Sequence, residues 1–188
     1  MIRLGVIGLG KMGGYHASIC SQLHGLQTLK LVGVADTNEA NFKKIIDPTV
    51  IKSQNYNDWI ENVDAVIVAV PTDFHYAVVK DCLTRGKHVL VEKPITKNLA
   101  EAEELINLAK KSGLTLHIGH VERFNGAVQE LNKIINQPLM IEIHRMGPFD
   151  ARVSKDSVVL DLMIHDLDLI LQFIDSPVKS LSAQGQKI

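Results

Sequence analysis

Gly8-Leu9-Gly10-Lys11-Met12-Gly13 is the stretch on which the fold turns. It follows an apolar run, Arg3 to Ile7, that reads as a strand. It opens a helical pattern with Met12, Ala17, Ile19, Cys20 and Leu23 on or near one face. A second apolar strand, Leu29 to Ala35, ends at Asp36, close to the ~20 residues past the glycines that a dinucleotide fingerprint requires. Each residue type answers a physical need. Gly8 permits a tight turn, Gly10 lets a pyrophosphate approach the backbone, and Gly13 lets helix and strand pack closely. Lys11 and Met12 begin the helix, whose free N–H groups and positive dipole end suit phosphates. Asp36 is positioned to accept hydrogen bonds from an adenosine ribose. A carboxylate there repels a 2′-phosphate, so NAD is favoured over NADP. Asp36 can also cap a helix expected over 38–46, and the two roles are compatible.

The alternation continues. Val50 to Ser53 reads as a short strand, and Asn57 is expected to cap a short helix holding Trp59 and Ile60. Ala65 to Val70 is apolar throughout, as in a strand buried on both faces of a parallel sheet. It breaks at Pro71-Thr72-Asp73-Phe74-His75. Val70, Pro71 and Thr72 are expected along the nicotinamide half of the cofactor. His75 is expected at a helix start, touching cofactor or backbone rather than acting as a catalyst. A helix over 76–85 then closes on Gly86 as its C′ residue.

His88 to Val91 reads as the next buried strand, and it delivers Glu92-Lys93-Pro94 to its carboxyl end. In open α/β sheets ligands bind at that edge, so Lys93 is expected beside the nicotinamide, with Glu92 holding it. Asn98 should cap a helix, with Glu101 at its third position, that runs to Ser112 and stops at Gly113. Leu114 to Ile118 is a further strand. The implied class is α/β, a Rossmann-type doubly wound parallel sheet over residues 1–118.

Residues 119–188 read differently, as an incomplete α+β domain with antiparallel strands. A polar run, Gly119 to Asn125, precedes a helix over 126–135, and 139–146 alternates like a strand. A polar loop through Asp150, Arg152 and Lys155 leads to Ser157 as the N-cap of a helix over 158–174, ended by Asp175-Ser176-Pro177. A last strand is expected over 178–183, with an exposed edge that leaves homo-oligomerisation open. The long helix is apolar nearly all round, yet carries Asp161, His165 and Asp168 on one face. These form either a solvated stripe or a general base, His165, oriented by Asp161. No metal is expected, because a full ligand set is not evident.

Composition narrows the classes. Lys+Arg number 20 against 21 Asp+Glu, a net charge of -1, which offers no field for nucleic acid. No apolar run approaches the ~18 residues of a membrane span. Cys20 and Cys82 fall at apolar helical positions, as reduced core thiols of a cytoplasmic protein would. The N-terminus enters a strand directly, so no leader peptide is expected.

Three stretches together resemble the Gfo/Idh/MocA oxidoreductases: Gly8 to Gly13, Gly86 to Pro94, and Asp161-Leu162-Met163-Ile164-His165-Asp166-Leu167-Asp168. The resemblance implies an NAD-dependent oxidoreductase acting on CH–OH groups of sugars. It makes Lys93 and His165 the catalytic pair, assisted by Asp161. The run Gly119 to Asn125 is similar to the branch that oxidises nucleotide sugars. That implies His120, Arg123 and Asn125, with Asp161 and His165, as substrate-binding residues. Met163 stands where many members have Gly, and Val70-Pro71-Thr72-Asp73 departs from the usual Thr-Pro-Asn. Members are also longer, so the chain is expected to be truncated at its C-terminal side. The alternative function is an inactive, NAD-binding remnant with a sensing or partner-binding role.

Overall fold

A computed structural model describes residues 1–24, 28–146 and 157–186. The loop expected through Asp150, Arg152 and Lys155 lies outside the described residues. Six strands, β1 (Ile2–Ile7), β2 (Leu29–Ala35), β3 (Ile51–Ser53), β4 (Ala65–Val68), β5 (His88–Glu92) and β6 (Leu116–Gly119), form one sheet. Every pairing is parallel, in the order β3-β2-β1-β4-β5-β6. The order reverses beside β1, which pairs with both β2 and β4, and a crevice for ligands opens at such a switch point.

Both faces of this sheet are covered, which explains the unbroken apolar strands. Val66 and Val68 point into one core with Leu83 and Leu105, whereas Ile67 points into the other with Leu9, Ala17 and Cys20. The first core lies under α2 (His75–Thr84) and α3 (Leu99–Lys111), the second under α1 (Lys11–His24). Cys20 and Cys82 are free and buried, and burial raises their thiols to about 11 and about 12.

Trp59 explains two glycines inside strands. Its fully buried ring lies across β1 and β2, and a Cβ on Gly5 or Gly33 would come within 2.1 or 2.5 Å of it. Its indole N–H donates to the Val34 carbonyl at 3.3 Å. Glycine weakens a strand unless something must approach closely, and here the indole does.

Helix ends follow local chemistry. The Asn98 side chain accepts from the Glu101 N–H at 2.9 Å, and α3 is followed by Gly113 at φ 65. Gly86, at φ 71, follows α2, which begins at His75 rather than Tyr76. The helix expected over 38–46 is a short 3₁₀ turn, Glu39–Lys44, capped by Asn38. Asn57 is not a cap. Asn55 accepts from the Asn57 N–H at 3.0 Å and starts the turn Tyr56–Asp58, because an Asx side chain reaches the amide two residues on.

The chain divides into two compact units, Met1–Gly119 and His120–Ile188. The second holds α4 (Gly126–Ile134), capped by Asn125, and α5 (Ile164–Phe173), preceded by a π turn, Val159–Met163. The strands expected over 139–146 and 178–183 do not form: neither segment pairs with a neighbour among the described residues. Alternation can set which face is apolar, but a ladder needs a partner for each backbone N–H and C=O. Leu139, Met140, Met146, Val178 and Leu181 are exposed. No described helix is long and apolar enough to cross a membrane.

Candidate functional site

The glycine loop joins β1 to α1. Gly8 sits at φ 89, where a Cβ would strike the Ala69 carbonyl at 2.6 Å. Gly13 packs on the Gly8 carbonyl so closely that a Cβ would lie 1.8 Å from it. Around Gly10, by contrast, nothing lies within 4 Å of a Cβ position. Two glycines are thus filled by backbone and the middle one faces open space, as a cradle for a phosphate requires. The first turn of α1, which begins with Lys11 and Met12, carries no acid to oppose an anion at its positive end.

Asp36, just past β2, secures the loop. Its Oδ2 accepts the Leu9 N–H at 2.6 Å and its Oδ1 accepts the Asn38 N–H at 2.8 Å. Both oxygens keep a further lone pair for a ribose hydroxyl. Lys44 approaches the same loop, its Nζ donating to the Leu9 carbonyl at 2.5 Å and the Gly10 carbonyl at 3.2 Å.

Beyond β4, His75 is 1% exposed, with Nδ1 2.7 Å from the Pro94 carbonyl and Nε2 3.0 Å from the Val70 carbonyl. It ties the Val70-Pro71-Thr72 segment to the one that follows β5. There the Lys93–Pro94 bond is cis. Glu92, the last residue of β5, is 7% exposed, and its Oε1 lies 2.6 Å from Nε2 of His16 on α1. A Cβ on Gly119, its partner on β6, would stand 3.1 Å from that carboxylate.

In the second unit, α5 carries two buried acids, each gripped by an arginine fork. Arg123 donates to Asp168 from Nε at 2.7 Å and Nη2 at 2.5 Å, and Arg145 donates to Asp166 at 2.8 and 2.6 Å. Burial pushes the Asp168 carboxyl up, but the Arg123 fork and the nearby histidines outweigh it and hold the group below the usual carboxylate range. The Arg145 fork lowers Asp166 against the same opposition. His120 Nδ1 is 3.8 Å from Asp168. Asn125 accepts the Ala127 N–H at 3.0 Å, as the cap of α4. Asp161 lies within the π turn and His165 at the start of α5, with Ser157 accepting the Leu160 N–H at 3.2 Å just before. The turn bonds the Ile164 N–H to the Val159 carbonyl, five residues back, which changes the angle between Asp161 and His165 from that of a plain α-helix. Asp168 of the expected stripe is therefore half of an ion pair, not a solvated acid.

Residues 2–120 match the Gfo/Idh/MocA profile, described as an oxidoreductase family with an NAD-binding Rossmann fold. The chain belongs to that family. It is 36% identical over 186 residues to UDP-N-acetylglucosamine 3-dehydrogenase of Acidithiobacillus ferrooxidans, matching 98% of this chain and 58% of that protein. It is 30% identical to myo-inositol 2-dehydrogenase of Thermotoga maritima, with the same coverage. The solved structure of the Acidithiobacillus enzyme superposes with a TM-score of 0.82, covering 92% of this chain and 56% of the other. The chain thus spans little more than half the length of these relatives.

In this Gfo/Idh/MocA chain, no spacing in the sequence singles out the pairings of His16, Lys44, Arg145 and Asp166. Their partners lie 76, 35 and 21 positions away, for His16–Glu92, Lys44–Leu9 and Arg145–Asp166. His16, three positions after Gly13, is the only one with a local cue: a polar residue on an otherwise core-facing side of α1.

Proposed function

We propose that the chain is an NAD-dependent oxidoreductase acting on a hydroxyl or keto group of a sugar or nucleotide sugar. The observation that carries this is the shared carboxyl edge of the sheet. The Gly8–Gly13 cradle, Asp36 and the Lys93 segment all emerge there, around the switch point beside β1. The likeness to a UDP-N-acetylglucosamine 3-dehydrogenase supports the substrate class.

The cofactor would be held by Gly8, Gly10, Lys11, Met12 and Gly13 at its phosphates and by Asp36 at its ribose. Val70, Pro71, Thr72, His75, Glu92 and Lys93 would lie along its nicotinamide half. Gly10, with open space above it, and an α1 start free of acids both fit a diphosphate. Bound there, the nicotinamide supplies a hydride acceptor or donor. His165 takes the hydroxyl proton, Asp161 keeps that imidazole oriented, and Lys93 steadies the oxygen that becomes a carbonyl. A placed base of this kind contributes about 10²–10⁴ in rate. His120, Arg123 and Asn125 are the further substrate-side candidates.

The second unit favours an alternative, an inactive chain that binds NAD for a sensing or partner-binding role. Its segments 139–146 and 178–183 form no sheet among the described residues, and their apolar side chains are exposed. Titrating the protein with NADH and NADPH by fluorescence, then assaying NAD reduction with UDP-N-acetylglucosamine and a sugar panel, separates the two. Tight NADH binding with turnover supports the enzyme. Binding without turnover on any sugar supports the alternative, and no binding sinks both.

A further inference from the structure

Lys44 ends the 3₁₀ turn Glu39–Lys44, and its side chain reaches back over the start of α1. Its stem crosses Gly14, where a Cβ would stand 3.2 Å from the Lys44 Cδ, so the glycine leaves it room. The ammonium donates to two successive carbonyls, Leu9 at 2.5 Å and Gly10 at 3.2 Å. The Gly10 carbonyl also accepts the Gly14 N–H at 3.1 Å, the first rung of the helix. The Leu9 carbonyl lies before that ladder, and Lys44 is what orients it. A lysine ammonium carries three rotatable donors on a compact charge, which suits it to gather neighbouring oxygens. Fixing so long a side chain costs rotamer entropy, however, and Lys44 is an exposed residue that could keep its ammonium in water. The arrangement therefore calls for a reason.

The reason lies on the other side of each peptide plane. Among the described residues the cis bond is Lys93–Pro94, so the 9–10 and 10–11 peptides are trans. A planar trans peptide points its C=O and its N–H in opposite directions. Drawing the Leu9 and Gly10 carbonyls toward Lys44 thus turns the Gly10 and Lys11 N–H groups away from it. We propose that Lys44 is a positioning residue for the cofactor's diphosphate, holding these two carbonyls aside so that the Gly10 and Lys11 N–H groups face the phosphate oxygens. Asp36 takes the Leu9 N–H at 2.6 Å, so Leu9 is held at its amide by an anion and at its carbonyl by a cation. Both charges come from the segment that follows β2, whose turn is capped by Asn38. One brace sets the acid at the ribose and the loop at the diphosphate together. This deepens the proposed function and rests on its assignment of the Gly8–Gly13 cradle to NAD.

The test joins a structural readout to a binding one, on the full chain. Residual dipolar couplings report the directions of backbone N–H bonds with no ligand present. In Lys44→Met, which keeps the stem and loses every donor, the Gly10 and Lys11 couplings should change while those elsewhere in the first unit stay. The same variant should bind NADH about tenfold more weakly in a fluorescence titration, because bonds to a charged phosphate are strong and misaligned donors forfeit them. Lys44→Arg, which keeps the charge and the donors, should restore both. Unchanged Gly10 and Lys11 couplings in Lys44→Met overturn the proposal even if affinity falls, since Lys44 would then act as a charge alone. Unchanged NADH affinity overturns it as well. Couplings that shift throughout the first unit, with a lower urea midpoint, would make Lys44 a general support and equally sink the idea. Wild-type protein that binds no NADH removes the proposed function and this inference together, and that result is told apart from the others because it needs no variant.

Discussion

Asp36 accepts the backbone N–H of Leu9 at 2.6 Å across 27 positions of sequence. The acid expected to read a ribose is therefore also a strut of the loop that would hold the phosphates. Its second oxygen starts the turn that carries Lys44 back to the same loop.

Asp36→Ala should consequently affect binding and folding together. NADH affinity should fall at least about tenfold. Stability should drop by about 1–3 kcal/mol, the cost of leaving a buried donor unmet. Asp36→Asn, which keeps one acceptor oxygen, should lose less of each. Fluorescence titration and urea melts measure the two effects. A variant that loses affinity at unchanged stability would show that the Leu9 contact is incidental.

Gly33→Ala should destabilise the first unit by about 1–3 kcal/mol, because the methyl would overlap the Trp59 ring. Trp59→Leu is costly alone, but it should blunt the effect of the alanine, making the double variant better than the sum of the singles. Additive losses in urea melts would contradict this packing.

Lys93→Ala should lower turnover at least about 10²-fold while NADH affinity changes little, if the residue works on the reacting oxygen. Matched steady-state assays and NADH titrations distinguish this from a structural lysine, whose loss would impair both.

The second unit should be acid-sensitive. Asp166 and Asp168 are held below the usual carboxylate range when folded. Their stabilisation is therefore fully present above the unfolded value of about 3.9 and is lost as pH falls through the lower folded values. Helical circular dichroism should decline in that acid window. Asp168→Asn should weaken the unit at neutral pH and remove part of the acid limb. An acid limb identical to wild type would mean that the Arg123 fork contributes nothing.

Much of the first unit was legible because its signals are local. The Gly8–Gly13 spacing, the Asn98 cap and the glycines closing α2 and α3 each act within a few residues. Asn55 and Asn57 can each form the same short-range bond, and only the backbone decides that Asn55 is the cap. His16–Glu92 and Arg145–Asp166 were not legible, since a long-range pair leaves no spacing to read. Leu139–Met146 misled for the opposite reason: its alternation is genuine, but pairing depends on a neighbour that the segment itself does not encode.

Trp59 is the single tryptophan of the chain, fully buried in the first unit. Its emission therefore reports on that unit and is silent about intrinsic order in the second. A red shift would signal exposure of the β1–β2 face, while far-ultraviolet dichroism sums the helices of both. Following the two signals along one denaturation curve would show whether the halves melt as one cooperative block or in succession. The protein thus carries its own label for dissecting its two parts.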